Sequence, residues 1–177
     1  TRQRSAPRRE VGRPSYEQET EITLQEAYTG TTRRFEIDGR RIEVKIPAGA
    51  RTGTRVRVAE ALTGQEGQKG DLYLIIRVLD DPKFERKGSD LYGDVPMDLY
   101  TAALGGEATV ETLSGNVVLT IPAGTQPGQT FRLAGRGMPN LKNPESHGDL
   151  FARAKIRIPR NLSSQQRELF KQLKDLG

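Results

Sequence analysis

The tetrapeptide Ile46-Pro47-Ala48-Gly49 occurs twice in this chain, returning 75 residues later as Ile121-Pro122-Ala123-Gly124. Residues on either side keep the same offset: Leu24, Ala27 and Gly30 return as Leu99, Ala102 and Gly105, and Gly53 as Gly128. Beyond a three-residue insertion, Gly70-Asp71-Leu72-Tyr73 comes back as Gly148-Asp149-Leu150-Phe151. One unit written twice in the same order implies two similar domains in series.

Each copy has the same pattern. Tyr16, Gln18, Thr20, Ile22 and Leu24 alternate with polar neighbours, predicting a strand, and a short helical turn from Leu24 to Tyr28 ends at Gly30. The second copy repeats that turn from Leu99 to Gly105. A hairpin follows in the first copy: Arg34 to Ile37, the turn pair Asp38-Gly39, then Ile42, Val44 and Ile46 alternating with charged residues. Proline removes a ladder donor and glycine permits a change of direction, so the Ile-Pro-Ala-Gly segment closes that strand. Short strands at Arg55–Val58 and Phe131–Leu133 precede the longest ones, Leu72–Leu79 and Leu150–Ile158. In the last of these, Arg153, Lys155 and Arg157 share one face, opposite Ala152, Ala154 and Ile156.

Composition agrees with thin β cores. Of the 177 residues 34% are hydrophobic and 6% aromatic, tryptophan is absent, and 19 glycines and 10 prolines punctuate the chain, so two small cores fit better than one large one. The fold expected is mainly β: two tandem, similar β-sandwich-like domains with short helices and a C-terminal helix. The boundaries expected are 1–15 for a flexible basic linker, 16–82 and 83–160 for the two domains, and 161–177 for the terminal helix. In that last stretch Ser163 and Gln166 form a capping-box signature, and Leu162, Leu169, Phe170, Leu173 and Leu176 make one apolar stripe. So short a helix is marginal alone and must dock, either on its own domain or on a second subunit.

Much chemistry is excluded. With no cysteine and the single His147, neither a disulfide framework, a thiolate or histidine metal cluster, nor a thiol nucleophile can be built. No apolar run approaches the roughly 18 residues of a membrane span, which predicts a cytoplasmic protein without a membrane partner. Asp71, Asp80 and Asp81 read as turn or strand-end residues, and Gly135-Arg136-Gly137 lacks the spacing of a phosphate-binding loop. No enzyme activity and no cofactor are expected. The net charge of +5 and the arginine-rich first fourteen residues raise a second reading, weak, salt-dependent binding of DNA or another nucleic acid.

The segment Asp80-Asp81-Pro82-Lys83-Phe84-Glu85-Arg86-Lys87-Gly88-Ser89-Asp90-Leu91 joins the copies, and Gly135-Arg136-Gly137-Met138-Pro139 lies in the second. With the paired Ile-Pro-Ala-Gly and Gly-Asp-Leu motifs, the chain resembles the C-terminal, client-binding region of DnaJ-type J-domain co-chaperones over nearly all of residues 16–176. No His-Pro-Asp tripeptide occurs, and Phe35–Ile46 runs through a tight hairpin with no cysteine-rich zinc module. The likeness is therefore to the zinc-free class that includes the curved-DNA-binding protein, cut to its C-terminal part, with the basic arm as the end of the linker to a J-domain.

That resemblance implies two β-rich domains, a homodimer through the C-terminal helix, unfolded polypeptides as clients, and a DnaK-type heat-shock ATPase as partner. It places client binding at Tyr16, Gln18, Thr20, Phe35, Ile37 and Phe84, capture of the partner's acidic tail at Arg33 and Arg34, and dimerisation at Leu162, Leu169, Phe170, Leu173 and Leu176. Gln18 and Thr20 depart from the family's apolar character, which predicts a more polar groove dominated by Phe35, Ile37 and Phe84. As residues alone, the same side chains are ordinary members of strand faces and cores.

Overall fold

The computed structural model describes residues 15–63, 67 and 69–177. The basic arm lies outside the described residues. Two compact units are present: one comprises the chain up to Asp81 together with Pro139–Glu145, the other Pro82–Met138 and Ser146–Gly177. The architecture is mainly β with three helices among the described residues.

In the first unit, β1 (Ser15–Ile22) lies parallel to β5 (Lys69–Val78), and β4 (Arg55–Thr63) pairs antiparallel on β5's other side, giving the order β1-β5-β4. The central strand carries the core, with Leu72, Leu74 and Ile76 fully buried. The helix α1 (Leu24–Thr29) follows β1 directly. Thr23 caps it through a reciprocal box, its Oγ1 accepting the Glu26 N–H at 3.1 Å while Glu26 Oε2 accepts the Thr23 N–H at 2.9 Å. A separate hairpin pairs β2 (Thr31–Ile37) with β3 (Arg40–Ile46). Its two-residue turn has φ of 51° at Asp38 and 70° at Gly39, the left-handed pair that matches strand twist.

The second unit repeats this plan and adds to it. Here β7 (Asp90–Asp98) is parallel to β11 (Leu150–Arg157), β10 (Thr130–Leu133) covers the far side of β11, and β6 (Phe84–Lys87) covers the outer edge of β7, giving the order β10-β11-β7-β6. Helix α2 (Leu99–Leu104) and the hairpin of β8 (Gly106–Thr112) and β9 (Gly115–Ile121) stand where α1 and the β2–β3 hairpin stand in the first unit. Leu91, Val95, Ile121, Met138 and Leu150 form its core.

The repeated motifs have similar structural duties, although the bond to Ala102, the counterpart of Ala27, comes from Thr125 and not from Gly124. The N–H of Gly49 donates to the Ala27 carbonyl at 2.8 Å, and that of Gly124 to the Ala103 carbonyl at 3.1 Å, tying each Ile-Pro-Ala-Gly segment to its short helix. A Cβ on Gly30 would stand 3.1 Å from Ala48 N and Ile46 O, and on Gly105 3.1 Å from Ala123 N and Ile121 O. Both glycines also have φ near +80°, at 75° and 82°, so no side chain fits at either helix end. The Asp of each Gly-Asp-Leu motif braces the neighbouring strand: Asp71 accepts Arg57 Nε at 2.9 Å, and Asp149 accepts Arg132 Nε at 2.6 Å.

The linker sequence reads as a connection, yet Phe84–Lys87 is a strand. Gly88-Ser89 forms its two-residue hairpin turn, a pairing signal present in the sequence. The terminal helix α3 (Ser164–Leu176) forms as its capping box predicts, with Gln166 N–H donating to Ser163 Oγ at 3.1 Å.

Candidate functional site

Alternation along β2 puts Thr31, Arg33, Phe35 and Ile37 on one face, and the hairpin register sets Ile46, Val44, Ile42 and Arg40 directly opposite them. Val44 and Ile46 are buried, whereas Phe35, Ile37 and Ile42 are only half-buried. The hairpin therefore carries an apolar row that sinks into the core at one end and reaches solvent towards the Asp38-Gly39 turn. The other face, Arg34, Glu36, Arg41 and Glu43, is exposed.

On β1 burial changes along the strand. Tyr16 is 59% exposed and Gln18 is exposed, but Thr20 is 8% and Ile22 1% exposed. Thr20 thus faces the core, and its buried Oγ1 has no hydrogen-bond partner. The outer face carries Glu17, Glu19 and Glu21: Glu17 pairs with Arg55, and the Arg77 guanidinium stands 3.5 Å from Glu19 and 3.2 Å from Glu21. Phe84 belongs to the second unit, half-buried, with its ring carbons 3.1 and 3.2 Å from where a Cβ on Gly93 would sit.

The two arginines of β2 are engaged within their own unit. Arg33 bridges to Glu26 at 2.9 Å and points Nη2 at the Glu21 carbonyl, 3.5 Å away. The backbone N–H of Thr23 and the Arg33 guanidinium together hold the Glu26 carboxyl below its ordinary value, against the opposing effect of burial. Arg34 meets Glu43 at 2.7 Å, both well exposed. An open concavity of about 550 Å³ is lined by Thr32, Arg33, Arg34 and Glu43, so an incoming carboxylate would compete with Glu43 for Arg34.

In the second unit, α3 buries none of its residues. Phe170 meets Tyr100 with ring centroids 6.4 Å apart, while Leu169, Leu173 and Leu176 are 52%, 62% and 86% exposed. These side chains line an apolar groove of about 330 Å³ with Tyr100 and Phe170. Leu162 is half-buried just ahead of the helix. The basic face of β11 is partly neutralised, because Arg153 and Lys155 share Asp94 at 3.3 and 3.8 Å.

Among the described residues no helix is long and apolar enough to cross a membrane. The doubled β unit thus leaves apolar area in water at two places, the half-buried hairpin row of the first copy and the unburied helix of the second. The family described as DnaJ C terminal domain matches residues 16–159, and the chain belongs to that family. It is 42% identical over 160 residues to the chaperone protein DnaJ of Deinococcus proteolyticus, covering 90% of this chain and 50% of that protein. It is 39% identical over 155 residues to chaperone protein DnaJ 2 of Thermus thermophilus, covering 88% and 54%. To the chaperone protein DnaJ of Halothermothrix orenii it is 44% identical over 140 residues, covering 78% and 37%. The chain thus spans about half the length of the first two relatives and less of the third. All three carry chaperone names, so the nucleic-acid reading is not favoured.

Proposed function

We propose that this chain is the polypeptide-holding part of a DnaJ-type co-chaperone: it binds extended segments of unfolded proteins and passes them to a DnaK-type ATPase, with no chemical step of its own. The observation that carries this reading is the half-buried row Phe35, Ile37 and Ile42, which leaves apolar area in water on a hairpin that is otherwise highly charged. Tyr16 and Gln18 on β1 supply further exposed contact area in the same unit. Covering roughly 200 Å² of such surface yields about 5 kcal/mol before the segment's ordering cost, which leaves the weak, reversible affinity that hand-over needs. In the same reading Arg33 and Arg34 receive the acidic tail of the ATPase, Phe84 contributes to client contact, and a second copy covers Leu162, Leu169, Phe170, Leu173 and Leu176. Two arms give one client two weak attachments, which raises avidity without a tighter site.

The test is suppression of aggregation. A chemically unfolded client diluted into buffer should scatter less light with this chain present, and Phe35→Asp should abolish that protection at an unchanged melting temperature. Equal protection by Phe35→Asp would reject the hairpin row as the holding surface.

A further inference from the structure

The hairpin that carries Phe35, Ile37 and Ile42 is a sheet of its own, β2 paired with β3 and with no third strand among the described residues. Something other than a shared ladder must therefore fix the row in place. The base of the hairpin is held by burial of Val44 and Ile46, by the Arg33–Glu26 bridge at 2.9 Å, and by the Gly49 N–H on the Ala27 carbonyl at 2.8 Å. Its tip is the Asp38-Gly39 turn, where Asp38 Oδ2 accepts the backbone N–H of Thr63 at 3.0 Å. Thr63 is the last residue of β4, an edge strand that pairs with β5 alone, so this N–H goes to the hairpin. The half-buried row lies between the two fixed ends.

The second unit makes the same attachment with different atoms. The turn of the β8–β9 hairpin is Leu113-Ser114, and Arg136 Nη1, past the end of β10, donates to Ser114 Oγ at 3.0 Å. Since β10 stands to β11 as β4 stands to β5, each unit ties its hairpin tip to the end of the corresponding strand. What lies under the tie differs. Val110, which occupies the place of Phe35 in the repeat, is 3% exposed, whereas Phe35 is half-buried. Over a buried row the tie adds only to packing; over a half-buried row it sets how the apolar side chains are presented to solvent.

From these attachments we infer that Asp38 is a positioning residue for the holding row: its carboxylate clamps the hairpin tip to Thr63 and keeps Phe35, Ile37 and Ile42 arrayed before a client arrives. The inference rests on the holding function proposed above and adds the device that preorganises its surface. Asp38 acts through the hairpin and is not itself a contact. With the tip clamped, the row loses little freedom on binding; with it released, binding must also order the strands from Phe35 to Ile42, and affinity falls.

Turn chemistry separates the clamp from the turn. Asp38 has φ 51°, so alanine would strain the turn as well as remove the carboxylate. Asp38→Gly keeps the left-handed conformation and removes the acceptor. Asp38→Asn keeps both, because its amide oxygen accepts an N–H and asparagine before glycine suits this turn. With a fluorescent peptide of about eight residues alternating leucine and threonine, Asp38→Gly should bind about fivefold more weakly, and Asp38→Asn within about twofold of the unaltered chain. Ser114→Ala, which removes the tie in the second unit, should leave binding unchanged. Amide exchange at Thr63 should be slow in the unaltered chain and in Asp38→Asn, and fast in Asp38→Gly.

If Asp38→Gly binds like the unaltered chain while Phe35→Asp does not, the client reading stands and the clamp is excluded. If Asp38→Asn weakens binding as much as Asp38→Gly, charge and not the clamp matters, and the inference falls. If the unaltered chain fails to bind, the client reading falls and the inference with it. Should Asp38→Gly melt early, Thr63→Pro removes the same bond from the donor side at the end of an edge strand, where proline is tolerated. Weaker binding by Thr63→Pro then supports the clamp, and equal binding overturns it.

Discussion

Asp71 holds the backbone N–H of Glu60 at 3.0 Å, with Glu60 in the left-handed region at φ 55°. In the second unit Asp149 holds the N–H of Gly135 at 2.9 Å, at φ 70°. The same turn, braced by the same carboxylate, is thus made once with glycine and once with a residue that resists it. The bulge between Val58 and Leu62 lies at this turn and re-aims the end of β4.

Glu60→Gly should therefore raise stability by up to about 1 kcal/mol, the left-handed strain exceeding the loss of an exposed ion pair to Lys69. Gly135→Glu should lower it by a similar amount. Urea unfolding of both variants checks the pair, and equal signs would refute the explanation.

Thr20 offers a second change in the stabilising direction. Its hydroxyl is buried without a partner, and valine has the same shape without the polar atom. Thr20→Val should gain about 1 kcal/mol, read as a higher urea midpoint at constant slope. A loss would mean that the hydroxyl is satisfied in solution.

The face pattern was legible in the sequence, but its depth was not. Alternation grouped Tyr16, Gln18 and Thr20 correctly as one side of a strand, yet periodicity cannot say where along a strand the core begins, and burial starts at Thr20. The repeat located both helix ends, because each depends on a glycine with a fixed local duty; it paired Asp71 with Asp149 as well, but the arginine and backbone N–H that each carboxylate holds lie on or just past another strand and were not legible. The strand β6 escaped because its charged residues resemble a linker; the Gly88-Ser89 turn was the available signal. The grouping of Pro139–Glu145 with the first unit had no local signal, since it is a tertiary contact, seen where a Cβ on Gly49 would stand 2.6 Å from the Pro139 carbonyl oxygen.

Acid should weaken the fold through identifiable carboxylates. Glu26 sits below its ordinary 4.5 through the Thr23 N–H and Arg33; Asp98 and Asp149 sit below 3.8, chiefly through the N–H groups of Thr101 and Gly135, with Arg132 adding to the latter. Groups whose folded pKa is depressed contribute fully above the unfolded value and lose that contribution as pH falls through the folded one. The melting temperature should be flat at higher pH and fall progressively below about pH 4.5. Asp149→Asn should melt lower at neutral pH and show a shallower acid limb; an unchanged limb would remove Asp149 from this account.

The helix stripe makes a separate prediction about assembly. Because Leu169 and Leu173 are exposed within the protomer, Leu169→Asp with Leu173→Asp should halve the mass seen by light scattering and leave protomer melting nearly unchanged. An unaltered mass would reject α3 as the dimer contact.

The most direct test of the central claim is fluorescence anisotropy of a labelled, extended, apolar peptide titrated with this chain at low and at high salt. Burial of apolar surface on Phe35 and Ile37 predicts saturable binding that survives high salt and is lost in Phe35→Asp. Binding that vanishes with salt and ignores Phe35→Asp would contradict the account and assign the interaction to charge alone.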